Sequence, residues 1–165
     1  MQLLESFVTT AVPLPLLSPR RGDYPPSDRP DPRPVPSASP DAPLILVIDD
    51  DLANLALAEA LLQAEGFQVN VAMDARTALK VLETVTPALI LMDIQLPEVD
   101  GWELTRQLKA DPATSAIPVI AITAYGKAGD ERKAKQAGFV EFLAKPVSTR
   151  DLPGIVRRHL AAPSH

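Results

Sequence analysis

Three aspartates, one threonine and one lysine stand where this 165-residue sequence could most readily do chemistry. Asp49 and Asp50 follow the apolar run Leu44 to Ile48. Asp93 follows Ala88 to Met92, Thr123 follows Pro118 to Ile122, and Lys145 follows Val140 to Ala144. If folding brings the three carboxylates together, they repel one another unless some are protonated or a cation sits among them. Carboxylate oxygens completed by water suit Mg²⁺, with Mn²⁺ as its substitute. A cation flanked by an ammonium and a hydroxyl makes a phosphoryl pocket, in which a free carboxylate oxygen can attack phosphorus.

The rest of the composition narrows the alternatives. The chain has no cysteine, which excludes disulfides, thiolate nucleophiles and Cys-based zinc sites. Its two histidines, His159 and His165, lie at the far C-terminus, away from any triad or His-rich metal pattern. With 16 Lys+Arg against 21 Asp+Glu the net charge is −5, so a basic face for nucleic acid is not expected. No apolar run approaches the ~18–20 residues of a membrane span.

Eleven of the 18 prolines fall within residues 1–43. Proline removes backbone donors and disfavours helix at the preceding residue, so this stretch reads as a disordered, partly polyproline II arm. Phe7 to Leu17 is apolar, but no basic residue precedes it and Pro13 and Pro15 interrupt it, unlike a signal peptide. It is read as a tail.

From residue 44 the pattern is that of alternating elements. Leu44 to Ile48, Phe67 to Ala72, Ala88 to Met92, Pro118 to Ile122 and Val140 to Ala144 are predicted strands, apolar and partly β-branched. Between them lie helical patterns: Leu55, Ala58 and Leu62 on one face, then Ala78, Leu79 and Leu82, then Leu104 and Leu108. A polar helix covers roughly Gly129 to Ala137, and a last helix carries Leu152, Ile155, Val156 and Leu160. Asp51 and Asp74 are placed as helix caps, with Gly66 and Gly138 as stops. Pro153 places the start of the last helix near Asp151, where a missing donor matters least. Five such units give a doubly wound α/β chain, (βα)₅, with a parallel sheet in the order 2-1-3-4-5. The functional crevice of such a sheet lies outside the carboxyl ends of its strands, where the five chemical residues are expected.

Each residue alone has a plain reading as a turn or cap residue; their joint placement does not. Four segments carry it: Ile48-Asp49-Asp50; Leu91 to Pro97 with Asp100-Gly101; Ile122-Thr123-Ala124; and Lys145-Pro146. Over residues 44–162 the sequence resembles the receiver domain of two-component response regulators. The wording Asp93 to Gly101, followed by Thr123 to Gly126, is most similar to single-domain cell-division regulators and to receivers of hybrid histidine kinases. The length of the chain favours the stand-alone form.

The resemblance implies a flavodoxin-like receiver fold. It also implies that Asp93 accepts a phosphoryl group from a sensor histidine kinase or a His-phosphotransfer protein. Asp50 would bind Mg²⁺ directly and Asp49 mainly through water, with Asp93 and the backbone carbonyl of Gln95 as further ligands. Thr123 and Lys145 would contact phosphoryl oxygens, and Phe142 would be the switch aromatic. Lys145-Pro146 would be a cis peptide, while Gln95 and Tyr125 would tune hydrolysis. The implied protein is a cytoplasmic signalling phospho-acceptor, not an enzyme beyond self-phosphorylation and slow self-dephosphorylation. It would act on a downstream protein target, without nucleic acid or membrane.

Other classes fit less well. A haloacid-dehalogenase-type phosphatase needs a second aspartate two residues after the nucleophile, where this chain has Gln95. A flavin carrier needs a hydroxyl- and glycine-rich phosphate loop after the first strand, where this chain has carboxylates. A degenerate scaffold would not be expected to keep the acceptor, the lysine and the acidic pair.

Overall fold

The computed structural model describes residues 39–124 and 130–161, so most of the proline-rich stretch lies outside the described residues. Ten elements alternate along the chain: β1 (Leu44–Ile48), α1 (Leu52–Ala64), β2 (Gln68–Ala72), α2 (Ala75–Leu82), β3 (Leu89–Asp93), α3 (Gly101–Ala110), β4 (Val119–Thr123), α4 (Asp130–Ala137), β5 (Glu141–Ala144) and α5 (Leu152–Ala161). The strands pair in parallel in the order β2-β1-β3-β4-β5, as the sequence pattern predicts.

The central strands are apolar up to their last residues, Asp93 and Thr123, because both faces are covered: every residue of β3 and β4 is buried. Alternate side chains feed two cores. Leu46, Ile48, Ile90, Met92, Val119 and Ala121 pack with Ala78 of α2 and Leu104 and Leu108 of α3. On the opposite face Ile45, Val47, Leu89, Leu91, Ile120 and Ile122 pack with Leu55, Ala58 and Leu62 of α1 and Val156 of α5.

Helix starts follow local chemistry. Asp51 accepts the backbone N–H of Ala53 at 2.7 Å, Asp74 that of Thr77 at 2.6 Å, and Asp100 that of Trp102 at 2.9 Å. The chain leaves α1 through Gly66 at φ +87°, a conformation that costs glycine little. At α5 the Asp151 carbonyl accepts the N–H of Ile155 at 3.0 Å, and Pro153 is the helix's second residue, as its missing donor requires.

Three details differ from the sequence pattern. Leu79 does not point inward: it is 39% exposed, because α2 has only eight residues and seats its Ala75–Ala78 face on the sheet. β3 and β4 run one residue further than their apolar runs, so Asp93 and Thr123 are the last residues of their strands. Residues 39–43 fold back on β2: Gln68 donates its side-chain amide to the carbonyls of Ser39 at 3.2 Å and Pro40 at 2.9 Å.

Candidate acidic site at the strand ends

The winding reverses between β1 and β3, and at that point the carboxyl ends of β1, β3, β4 and β5 open onto one crevice. Asp49 and Asp50 leave the end of β1, and oxygens of Asp49, Asp50 and Asp93 lie within 4.8 Å of one another. Asp49 and Asp93 are buried, whereas Asp50 is exposed at the mouth.

Lys145, just beyond β5, binds the two buried carboxylates together. Its Nζ donates to Asp49 Oδ2 and to Asp93 Oδ2, each at 2.7 Å. Burial pulls the ammonium toward neutrality, but the hydrogen bonds and charges of Asp49 and Asp93 more than offset this, and its pKa is raised above 10.5. The lysine thus holds a full positive charge between two carboxylates that would otherwise repel. The Lys145–Pro146 peptide is cis.

The remaining oxygens are held from nearby in the chain. Asp93 Oδ1 accepts the backbone N–H of Gln95 at 3.0 Å, and the Gln95 side chain is exposed. Asp49 Oδ1 accepts the N–H of Asp51 at 2.9 Å. Asn54 of α1, a residue the sequence reading missed, reaches across to Asp49. Its Nδ2 is 3.2 Å from both carboxylate oxygens. The available signal was its spacing, three residues after the capping Asp51 and five after Asp49.

Thr123 is buried at the end of β4, in register with Ala144, and its carbonyl accepts the Lys145 N–H at 2.7 Å. Phe142 is half-buried one strand over, in register with Ala121 and packed against the core that contains Ala121, Leu104 and Ala137. The fold therefore brings Asp49, Asp50, Asp93 and Lys145 into one pocket, with Thr123 beside Lys145 and Phe142 three residues before Lys145, on β5. Tyr125 lies outside the described residues.

The donor set fits a hard cation: three carboxylates, one of them exposed and without a protein hydrogen bond among the described residues. No helix among the described residues is long and apolar enough to cross a membrane.

Known proteins are similar to this chain in sequence and fold. The family model of the response regulator receiver domain matches residues 45–157. The response regulator PleD of Caulobacter vibrioides is 45% identical over 103 residues, 62% of this chain and 23% of PleD, so the match spans under a quarter of that protein. The polar-differentiation response regulator DivK of Brucella anthropi is 39% identical over 104 residues, 63% of this chain and 85% of DivK. Among solved structures, the receiver domain of a sensor histidine kinase from Pseudomonas aeruginosa PAO1, with magnesium coordinated in its active-site cleft, superposes with a TM-score of 0.67. It is 33% identical and covers 73% of this chain and 99% of that one. A CheY-like receiver domain protein from Methanospirillum hungatei JF-1 is 30% identical with a TM-score of 0.67, covering 72% of this chain and 94% of that one. Sequence and fold agree over the same residues, and the chain belongs to the response regulator receiver domain family of two-component systems.

Proposed function

We propose that this chain takes a phosphoryl group onto Asp93 from the phosphohistidine of a sensor histidine kinase or a His-phosphotransfer protein. The observation that carries the reading is the state of Asp93: buried, with one oxygen on Lys145 and the other on the Gln95 N–H. Among the described residues, two donors aim the carboxylate and leave lone pairs free on both of its oxygens.

In the transfer, one oxygen of Asp93 attacks phosphorus, the P–N bond breaks, and the leaving imidazole keeps the electron pair and picks up a proton. Lys145 keeps its charge through ordinary pH and can follow the developing charge from carboxylate to phosphoryl oxygen. The Thr123 hydroxyl is the second phosphoryl contact, from the end of the neighbouring strand. Asp50, Asp93 and the Gln95 carbonyl would hold Mg²⁺ directly and Asp49 through water; Mn²⁺ would substitute. The ion, when bound, neutralises phosphoryl oxygens so that an anion can be attacked by a carboxylate.

Output is a change of surface read by a downstream protein, in the cytoplasm. Gln95, two residues past Asp93, and Tyr125, two past Thr123 in the sequence, are not carboxylic acids that could activate a water, so self-hydrolysis is slow. The test is mass analysis after incubation with acetyl phosphate and Mg²⁺. A single adduct of about 80 Da, lost in Asp93→Ala, is expected; an adduct that survives Asp93→Ala overturns the assignment.

A further inference from the structure

Asp49 and its neighbours differ in how much acceptor capacity the protein has already filled. An ionised carboxylate offers about four lone-pair sites on its two oxygens. Asp49 has two donors on each: Oδ1 takes the Asp51 N–H and Asn54 Nδ2, and Oδ2 takes Lys145 Nζ and Asn54 Nδ2. Asp93 has one donor on each oxygen, and Asp50 has no hydrogen bond among the described residues. A cation entering the pocket finds open lone pairs on Asp50 and Asp93. At Asp49 it must displace a donor.

The three donors on Asp49 are not equally replaceable. The Asp51 N–H is part of the backbone corner between β1 and α1. Lys145 makes a short, charge-assisted bond at 2.7 Å. Asn54 is the longest contact, shared between both oxygens at 3.2 Å, and its side chain is exposed. Both neighbours of its amide are carboxylate oxygens, so the nitrogen must face them.

Resting on the metal reading above, we infer that Asn54 is a positioning residue that keeps Asp49 in the outer sphere of the bound cation. It occupies the lone pairs through which Asp49 would otherwise ligate, so Asp49 meets the ion only through water. Mg²⁺ gives up its waters reluctantly, whereas Ca²⁺ accepts six to eight oxygens and tolerates extra carboxylates. By withholding a third carboxylate, Asn54 therefore biases the site toward Mg²⁺.

The test uses the full chain with Mn²⁺ as the probe and counts metal-bound waters by electron–nuclear double resonance in labelled water. Asn54→Ala should fold normally, because the site is exposed and alanine is the best helix former. The variant should bind Mn²⁺ with one water fewer than wild type. Its Ca²⁺ affinity should rise relative to Mg²⁺ by about tenfold. Adding Asp49→Ala to Asn54→Ala should restore the wild-type water count. Mn²⁺ bound with the same water count in wild type and Asn54→Ala overturns the role of Asn54 while leaving the metal site standing. Failure of the wild type to bind Mn²⁺ overturns the metal reading and this inference with it.

Discussion

A β-carbon on Gly101 would lie 2.6 Å from the carbonyl oxygen of Asp93. It would also lie 2.8 Å from the Cα of Ile94, and the Gly101 N–H donates to the Ile94 carbonyl at 2.9 Å. The segment leaving β3 thus turns back, through Glu98 at φ 65°, until the start of α3 rests on the backbone of Asp93 itself. Any side chain at Gly101 must push on the residue that carries the carboxylate.

Gly101→Ala should therefore cost about 1–3 kcal/mol and also weaken Mg²⁺ binding. Gly154 is the control: it lies inside α5 with nothing within 4 Å of its added β-carbon. Gly154→Ala should stabilise by about 0.5–1 kcal/mol and leave Mg²⁺ binding alone. Urea unfolding with and without Mg²⁺ compares the two. Equal effects of the two variants would show that the contact with Asp93 is unimportant.

Asp50 is exposed and has no hydrogen bond among the described residues, yet it stands within 4.8 Å of two other carboxylates. Removing it should leave the metal-free protein as stable as before, or more so, by relieving repulsion. Saturating Mg²⁺ should stabilise wild type by roughly 1–3 kcal/mol, following RT ln(1 + [L]/Kd), and Asp50→Ala should lose most of that gain. Thermal melts in EDTA and in Mg²⁺ measure both. Identical Mg²⁺ shifts in the two proteins would count against Asp50 as a ligand.

Glu141 of β5 ties α5 down: Arg158 donates to both of its oxygens at 2.8 Å, and His159 contacts the same carboxylate. Burial alone would raise the Glu141 pKa, but the hydrogen bonds from Arg158 and His159 and their charges reverse this, holding it below 4.5. A depressed carboxyl contributes stability that is present above its unfolded value and lost as pH falls through the folded one. Glu141→Gln should therefore cost about 1 kcal/mol near neutral pH, with the gap closing as pH falls below the ordinary carboxyl value. Urea midpoints across an acid series follow this; a gap that stays constant to about pH 3 contradicts it.

Thr123 and Ala121 share a face of β4, and Phe142 is in register with Ala121 on the adjacent strand. A phosphoryl mimic on Asp93 that draws the Thr123 hydroxyl toward it should open space for the Phe142 ring. Phenylalanine has no hydroxyl to anchor either position, so the expected response is a modest shift of population. Beryllofluoride with Mg²⁺ should move NMR signals at Thr123, Phe142 and α4. Changes confined to residues touching the ligand would refute the coupling.

Much of this protein was legible before folding, because the information is local. A buried parallel strand needs an unbroken apolar run, and a cap needs a short polar side chain ahead of a helix. Both can be read within a few residues, as at Leu44–Ile48 and Asp51. The placement of Asp93, Thr123 and Lys145 at strand ends follows from the same runs, and the crossover rules then bring those ends to one edge. What the sequence could not show is which donors each carboxylate receives. Lys145 reaches Asp49 across 96 residues and Asp93 across 52, and its shared hydrogen bonds exist only once β5 is seated beside β4. Leu79 has the spacing of a core residue, but the short α2 leaves it outside. Asn54 looks like any polar residue in the first turn of a helix. Only the angle at which α1 leaves β1 lays its amide over both oxygens of Asp49, since periodicity determines the face of a helix but not what that face meets.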